Sequence, residues 1–210
     1  MVKIADLLRL KIPFVLASSS PRRKKLLEML GLSPEIVIPD VDEDNIATDV
    51  YDYSLKVTEI AKAKAITVAN KINYDAIILG ADTIVVLDGD ILTKPIDEYE
   101  AKIMLKKLSN RTHIVFTGIV LLHKPSFKFK TCFRRTEVSF RKLEDDEIEA
   151  YVNSGSPLDK AGAYGIQDDF GAVFVKSVNG CYYNIVGLPL ECFYTSLRKF
   201  INELESEGLL

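Results

Sequence analysis

PFVLASSSPRRKKLLEMLG (residues 13–31) reads as a short strand, a serine-rich turn and a helix, and this places the chain among α/β folds. Ser20 suits an N-cap, Pro21 the first helical position, Leu26, Leu27 and Leu30 an apolar stripe, and Gly31 the stop. Arg22, Arg23, Lys24 and Lys25 crowd the first turns, where the helix dipole is already positive and basic side chains cost stability. Free backbone N–H groups, serine hydroxyls and guanidinium groups at one helix start make an anion site suited to phosphate. A solvated basic face that happens to open a helix is the alternative.

Beyond this unit, PEIVIP (34–39) suggests a second short strand, and Asp40-Val41-Asp42-Glu43-Asp44 an acidic turn. Residues 51–70 carry helical periodicity through Leu55, Ile60, Ala61, Ala65 and Ile66. Apolar runs at 76–79 and 84–87 are joined through Gly80-Ala81-Asp82-Thr83, and Asp88-Gly89-Asp90 signals a hairpin returning through Ile91 and Leu92. Asp97 caps a helix with Tyr99, Ile103, Met104 and Leu108 on one side. Two β-rich runs follow (112–122 and 127–140), then a helix near 144–153 and a glycine-rich segment of little periodicity (154–171). A strand at 172–178, a turn at Asn179-Gly180, a strand turning through Gly187, and a closing helix at 189–205 complete the pattern. Helices alternate with strands, yet at least two connections are hairpins, so the expectation is a mixed sheet flanked by helices. The 210 residues suit one domain or two closely fused lobes, with no Gly/Pro/Ser linker between them.

Apolar content of 48% and charged content of 27% are ordinary for a globular protein. A net charge of −3 argues against a general polyanion binder. Cys132, Cys181 and Cys192 are far apart and show neither zinc spacing nor a disulfide framework. No apolar run approaches the ~20 residues of a membrane span. MVKIADLLRLKIPFVLAS carries charges within its apolar stretch and lacks a small-residue cleavage site, so a signal peptide is not expected and a reducing, cytoplasmic setting is.

An acid interrupting a run as apolar as AIILGADTIVVL should be buried, and burial is costly unless a cation, metal or hydrogen bonds compensate. Asp82 is therefore a candidate general base or metal ligand, or a structural acid paired with loop N–H groups. Gly80 just before it suggests close approach of another backbone or a ligand. Lys94 follows a strand directly, where a cation faces ligand or solvent. Asp42, Glu43 and Asp44 offer oxygen ligands for Mg²⁺, or a plain surface turn. SPLDKAGAYGIQ (156–167) sets glycines and small residues around Lys160, a point charge for phosphate, or forms a tight turn. His113 and His123 sit in strand patterns and read as structural or solvated. Neither a P-loop nor a dinucleotide-binding GxGxxG is present.

LASSSPRRKKLLEMLG, the pair Asp42-Glu43, EIAKAKA, GADTIVV, TKP, LSNRTHIVFTG, PLDKAGAYGIQ and NGCYYNIVGLPL occur in the order and spacing of the Maf-family nucleoside triphosphate pyrophosphatases, also called septum formation protein Maf. The resemblance covers about residues 13–200. It implies a single Maf-like domain over 1–210, similar to inosine triphosphate pyrophosphatases: a bent mixed sheet with helices, in two lobes around a cleft. The implied activity is hydrolysis of nucleoside triphosphates to monophosphate and pyrophosphate with a divalent cation, Mg²⁺ or Mn²⁺, by a cytoplasmic homodimer. No nucleic-acid or membrane partner is implied. Asp82 matches the family's proton acceptor, and Ser18, Arg22 and Arg23 its phosphate-side motif. Lys64, Lys94, Asp159 and Lys160 match charged substrate-binding positions, and Glu43 with Asp82 the metal side. Arg22, Thr83 and Gln167 resemble the subgroup acting on dTTP and UTP. A house-cleaning enzyme for non-canonical purine nucleotides and a non-enzymatic nucleotide-sensing regulator of cell division are the alternatives. One departure stands out: where the family usually has glycine after that glutamine, Asp168-Asp169-Phe170 follow, lengthening the loop and adding negative charge that weakens triphosphate binding unless it faces solvent.

Overall fold

Apolar runs and capped helices assemble into a mixed α/β structure over residues 4–43, 46 and 52–210, which the computed structural model describes. In chain order the elements are α1 (Ile4–Leu8), β1 (Phe14–Ala17), α2 (Pro21–Met29), β2 (Glu35–Ile36), α3 (Tyr53–Lys71), β3 (Ala76–Leu87), β4 (Asp90–Leu92) and α4 (Glu98–Leu108). Then come β5 (Thr112–Lys124), β6 (Phe129–Phe140), α5 (Asp145–Asn153), 3₁₀ turns at Ser156–Asp159 and Ala161–Ala163, α6 (Asp169–Phe174), β7 (Val175–Asn179), α7 (Tyr182–Val186) and α8 (Leu190–Ser206). Among the described residues the strands run in the order β2-β1-β3-β5-β6-β7, with β4 on β3. β1 pairs parallel with both β2 and β3, whereas β4 and β7 join as antiparallel partners of β3 and β6. The mixed sheet flanked by helices is thus observed.

The chain divides into two compact units. Met1–Asp82, Thr117–Arg134 and Gly187–Leu210 make the first, and Thr83–Phe116 with Arg135–Val186 the second. In the first, α3 lies on the sheet through small residues: Ala61, Ala65 and Ala69, one helical turn apart, pack with Val15, Ala17, Ile78, Val120 and Leu122. Two glycines let this helix come close. A Cβ on Gly80 would stand 2.0 Å from the Ala61 carbonyl oxygen, and one on Gly118 2.7 Å from the Val57 carbonyl carbon. The backbone approach that the sequence suggested at Gly80 is that of α3.

In the second unit, α4 and α5 are linked by ion pairs Lys102–Glu149 and Lys106–Asp145, each 2.8 Å. His113, Phe140 and Tyr164 stack edge to face, with ring centroids 4.8–5.3 Å apart. His113 is buried, its Nε2 hydrogen-bonded to the Tyr164 hydroxyl at 2.8 Å, and burial lowers its pKa from 6.5 to about 4. Between those two values the unfolded chain takes up a proton that the folded protein refuses. Stability therefore falls as pH falls through that window, by on the order of 3 kcal/mol once the window is crossed. Guanidinium unfolding at pH 7 and pH 4.5 checks this: His113→Phe should lose less stability on acidification than wild type, and equal losses would contradict it.

Several sequence expectations are corrected. Residues 172–174 belong to helix α6, and the strand is 175–179, because the chain is already helical from Asp169. The strand expected before Gly187 is helix α7 instead. Tyr99, Ile103 and Leu55 are exposed, since α4 buries Ala101, Met104, Leu105 and Leu108, and α3 its alanine side. Cys132 on β6 and Cys192 on α8 are paired, their Cα atoms 6.5 Å apart across 60 residues. The fold brings them together where spacing showed no sign of it. Asp44 and Tyr51, placed by the sequence in the acidic turn and at a helix start, lie outside the described residues. No helix among the described residues is long and apolar enough to cross a membrane.

Candidate active site

Ser18 follows β1 directly and is buried. Its Oγ accepts hydrogen bonds from the Ser20 N–H at 3.2 Å and from Arg23 Nη1 at 3.0 Å. Ser20 caps α2, accepting from the Arg23 N–H at 3.4 Å, and Pro21 occupies the first turn. Of the four basic residues here, Arg23 turns inward and is 8% exposed, Arg22 is half-buried, and Lys24 and Lys25 face solvent. Arg23 Nε donates to the Gly187 carbonyl at 2.9 Å, so the guanidinium is held between a serine and a distant backbone oxygen. Burial lowers its pKa from the ordinary value, while Asp82 and Glu43 pull it up.

On β3, residues two apart share a face, so Ile78, Gly80 and Asp82 all point toward α3. Lys64 lies on α3 three residues beyond Ala61, and its Nζ reaches Asp82 Oδ1 at 2.8 Å and Glu43 Oε1 at 2.9 Å. Lys64 and Asp82 are 7% and 6% exposed, while the Glu43 side chain is half open to solvent. Leaving either charge unpaired would be costly at this depth. The compensation that the sequence demanded for Asp82 is this ammonium. Ser18, Arg23, Glu43, Lys64 and Asp82 all belong to the first unit.

Arg22 lies in the first unit as well, and the second unit holds the remaining sequence candidates. Thr83 opens it on β3, half-buried, and Lys94 lies exposed just beyond β4. Lys160 is 8% exposed; its Nζ donates to Asp159 Oδ1 at 2.6 Å, to Ser156 Oγ at 3.2 Å and to the Ser156 carbonyl, and pairs with Asp168 Oδ2 at 3.3 Å. Asp168 also accepts from the Tyr151 hydroxyl at 2.9 Å, Ser156 Oγ at 2.7 Å and Gln167 Nε2 at 2.9 Å. Asp168 thus turns inward, its charge matched by Lys160, while Asp169 is exposed in the first turn of α6. Burial and the bond to Asp168 raise the Tyr151 pKa. Sequence reasoning missed the Gly187 carbonyl and Tyr151, and gave Ser156 only as the first residue of the candidate segment 156–167. A backbone carbonyl leaves no trace in residue type, and Tyr151 reads as one more apolar position of α5.

Glu43 and Asp82 already converge on one cationic centre, the Lys64 ammonium. Among the described residues no three His, Cys, Asp or Glu side chains gather as a metal-holding group. The pair fits a hard cation that keeps several waters and takes phosphate oxygens, and does not fit an all-protein cage.

Residues 13–200 match the family model described as Maf-like protein. A protein of Thermoanaerobacter sp. (strain X514), named dTTP/UTP pyrophosphatase, is 44% identical over 185 residues, 88% of this chain and 95% of its own. Proteins of the same name from Clostridium tetani (strain Massachusetts / E88) and Bacillus cereus (strain AH820) are 43% and 46% identical, each over 89% of this chain and over 96% and 94% of their own. A crystal structure of the nucleoside-triphosphatase / dITP/XTP pyrophosphatase from Mycobacterium abscessus ATCC 19977 / DSM 44196 aligns over 63% of this chain and 76% of that one, with 14% identity and a TM-score of 0.42, a likeness too distant to inform the chemistry. The inward-turned arginine of 13–31 and the buried aspartate of β3 lie within the matched span, and over that span the chain belongs to the Maf-like protein family.

Proposed function

We propose that this chain is a nucleoside triphosphate pyrophosphatase that hydrolyses dTTP and UTP to the monophosphate and pyrophosphate. The observation that carries the reading is the buried Asp82–Lys64 pair, 2.8 Å apart, with Glu43 on the same ammonium and Arg23 electrostatically coupled to both carboxylates. The names of relatives at 43–46% identity support it.

Asp82 Oδ1 is committed to Lys64, so Oδ2 is the oxygen that takes the proton from a water attacking the α-phosphorus. The bond from α-phosphorus to the bridging oxygen breaks, and pyrophosphate leaves with the electron pair. Lys64 holds the carboxylate in place through this exchange. Arg23, fixed at its Nε by Gly187 and at Nη1 by Ser18, presents a preorganised guanidinium to phosphate oxygens, alongside Arg22 and the N–H groups opening α2. Lys94 adds ammonium charge for the phosphate chain, and Lys160, its own charge already matched by Asp159 and Asp168, is assigned to positioning it. A divalent cation such as Mg²⁺ or Mn²⁺, held by Glu43 and Asp82 together with the substrate, supplies charge neutralisation on the phosphates when bound. Thr83 and Gln167 are assigned to the base side, where an amide can pair with a uracil edge. The same reading has the chain act as a single Maf-like domain, a homodimer in the cytoplasm, on free nucleotides.

The test is a turnover panel of UTP, dTTP, CTP, ITP and 7-methyl-GTP that measures pyrophosphate apart from orthophosphate. The expected result is pyrophosphate release, fastest from UTP and dTTP. Preference for ITP or 7-methyl-GTP would replace the substrate assignment, and binding without cleavage would replace the enzyme by a sensor.

A further inference from the structure

The carboxylate of Asp168 does something in the second unit that a position without an acceptor side chain could not do. A carboxylate only accepts hydrogen bonds, so the end of the Gln167 amide that meets Asp168 Oδ1 at 2.9 Å must be the Nε2 donor. The carboxylate is not free to turn away. Its Oδ2 is fixed by the Tyr151 hydroxyl, Ser156 Oγ and the Lys160 ammonium, and Tyr151 is itself pinned by accepting from the Gly165 N–H at 3.1 Å. Gln167 is exposed, with its Oε1 at the opposite end of the amide from this lock.

We propose that Asp168 sets the hydrogen-bonding polarity of Gln167, so that the amide oxygen is offered to the base and nucleotides whose ring carries an N–H are selected over those whose ring nitrogen is bare. The inference rests on the reading of Gln167 as a base-side residue and deepens it. Uracil and thymine present an N–H between two carbonyls, which an amide oxygen accepts. Cytosine presents a lone pair at that nitrogen, and an amide oxygen facing it leaves both acceptors without a donor. Without Asp168 the amide is free to invert and serve cytosine with its NH₂ group. Asp168 is a positioning residue here, acting on the base through Gln167.

Binding of the α,β-imido analogues of UTP and CTP, measured by calorimetry with Mg²⁺ present, tests this independently of turnover. Wild type should bind the uracil analogue about 10-fold to 100-fold more tightly, the scale of one mispaired hydrogen bond at the base. Asp168→Asn should cut that ratio by about 10-fold. A ratio taken on one preparation cancels any loss of folded protein. In a Gln167→Ala background, Asp168→Asn should leave the ratio unchanged. An unaltered ratio in Asp168→Asn, the same change with Gln167 absent, or no uracil preference in wild type would each overturn the proposal. Failure of the enzyme reading shows separately, as intact UTP in the turnover panel.

Discussion

Asp82→Asn removes turnover of UTP by about 10²-fold to 10⁴-fold while the protein still folds and still binds nucleotide. The asparagine carbonyl can keep the hydrogen bond from Lys64, and Lys64 keeps Glu43 at 2.9 Å, so no buried charge is left unpaired. What disappears is the oxygen that accepts a proton from water. Steady-state rates together with calorimetric nucleotide binding check both halves. Full activity would remove Asp82 from the chemistry, and loss of binding in step with loss of rate would make it a substrate contact only. Lys64→Ala would be a poorer probe, because it strands the buried Asp82 carboxylate and its effect on activity would be mixed with a large loss of stability.

Gly80→Ala should be the most damaging small substitution in the first unit. The new methyl would sit 2.0 Å from the Ala61 carbonyl oxygen, which is backbone of α3 and cannot swing aside as a side chain can. Either β3 or α3 must move by more than an ångström, at a cost of about 3 kcal/mol or more. The displacement also separates Lys64 from Asp82, because Lys64 follows Ala61 by less than one turn of the same helix. Urea unfolding and activity per folded molecule should therefore fall together. A variant of wild-type stability would show that the sheet and α3 are less tightly joined than their packing implies.

Local signals carried most of the fold in the sequence. Ser20 and Pro21 opening α2, Asp97 capping α4 and accepting from the Glu100 N–H at 2.8 Å, and the two apolar runs of β3 each act within a few residues. Where neighbours outvoted local pattern, reading failed. Residues 172–174 (AVF) read as the start of a strand, yet they close helix α6, with Phe174 buried against Phe140 and Tyr151. Leu55 and Tyr99 fit helical spacing, but the face that packs is set by Ala61, Ala65 and Ala69 on α3 and by Ala101, Met104, Leu105 and Leu108 on α4. The site divided the same way. An acid inside AIILGADTIVVL signalled a buried carboxylate needing compensation, but nothing within the strand named Lys64, 18 residues earlier. Arg23 is written in the sequence, whereas the Gly187 carbonyl that orients it, 164 residues away, exists only in the fold. The Cys132–Cys192 pairing was hidden for the same reason.

One measurement reaches the centre of this account: hydrolysis of UTP by the whole chain with Mg²⁺ in isotopically oxygen-labelled water, with each product identified. Attack on the α-phosphorus by a water deprotonated at Asp82 gives equal amounts of UMP and pyrophosphate, with the label in UMP. UDP with orthophosphate, or label in the pyrophosphate, would contradict it.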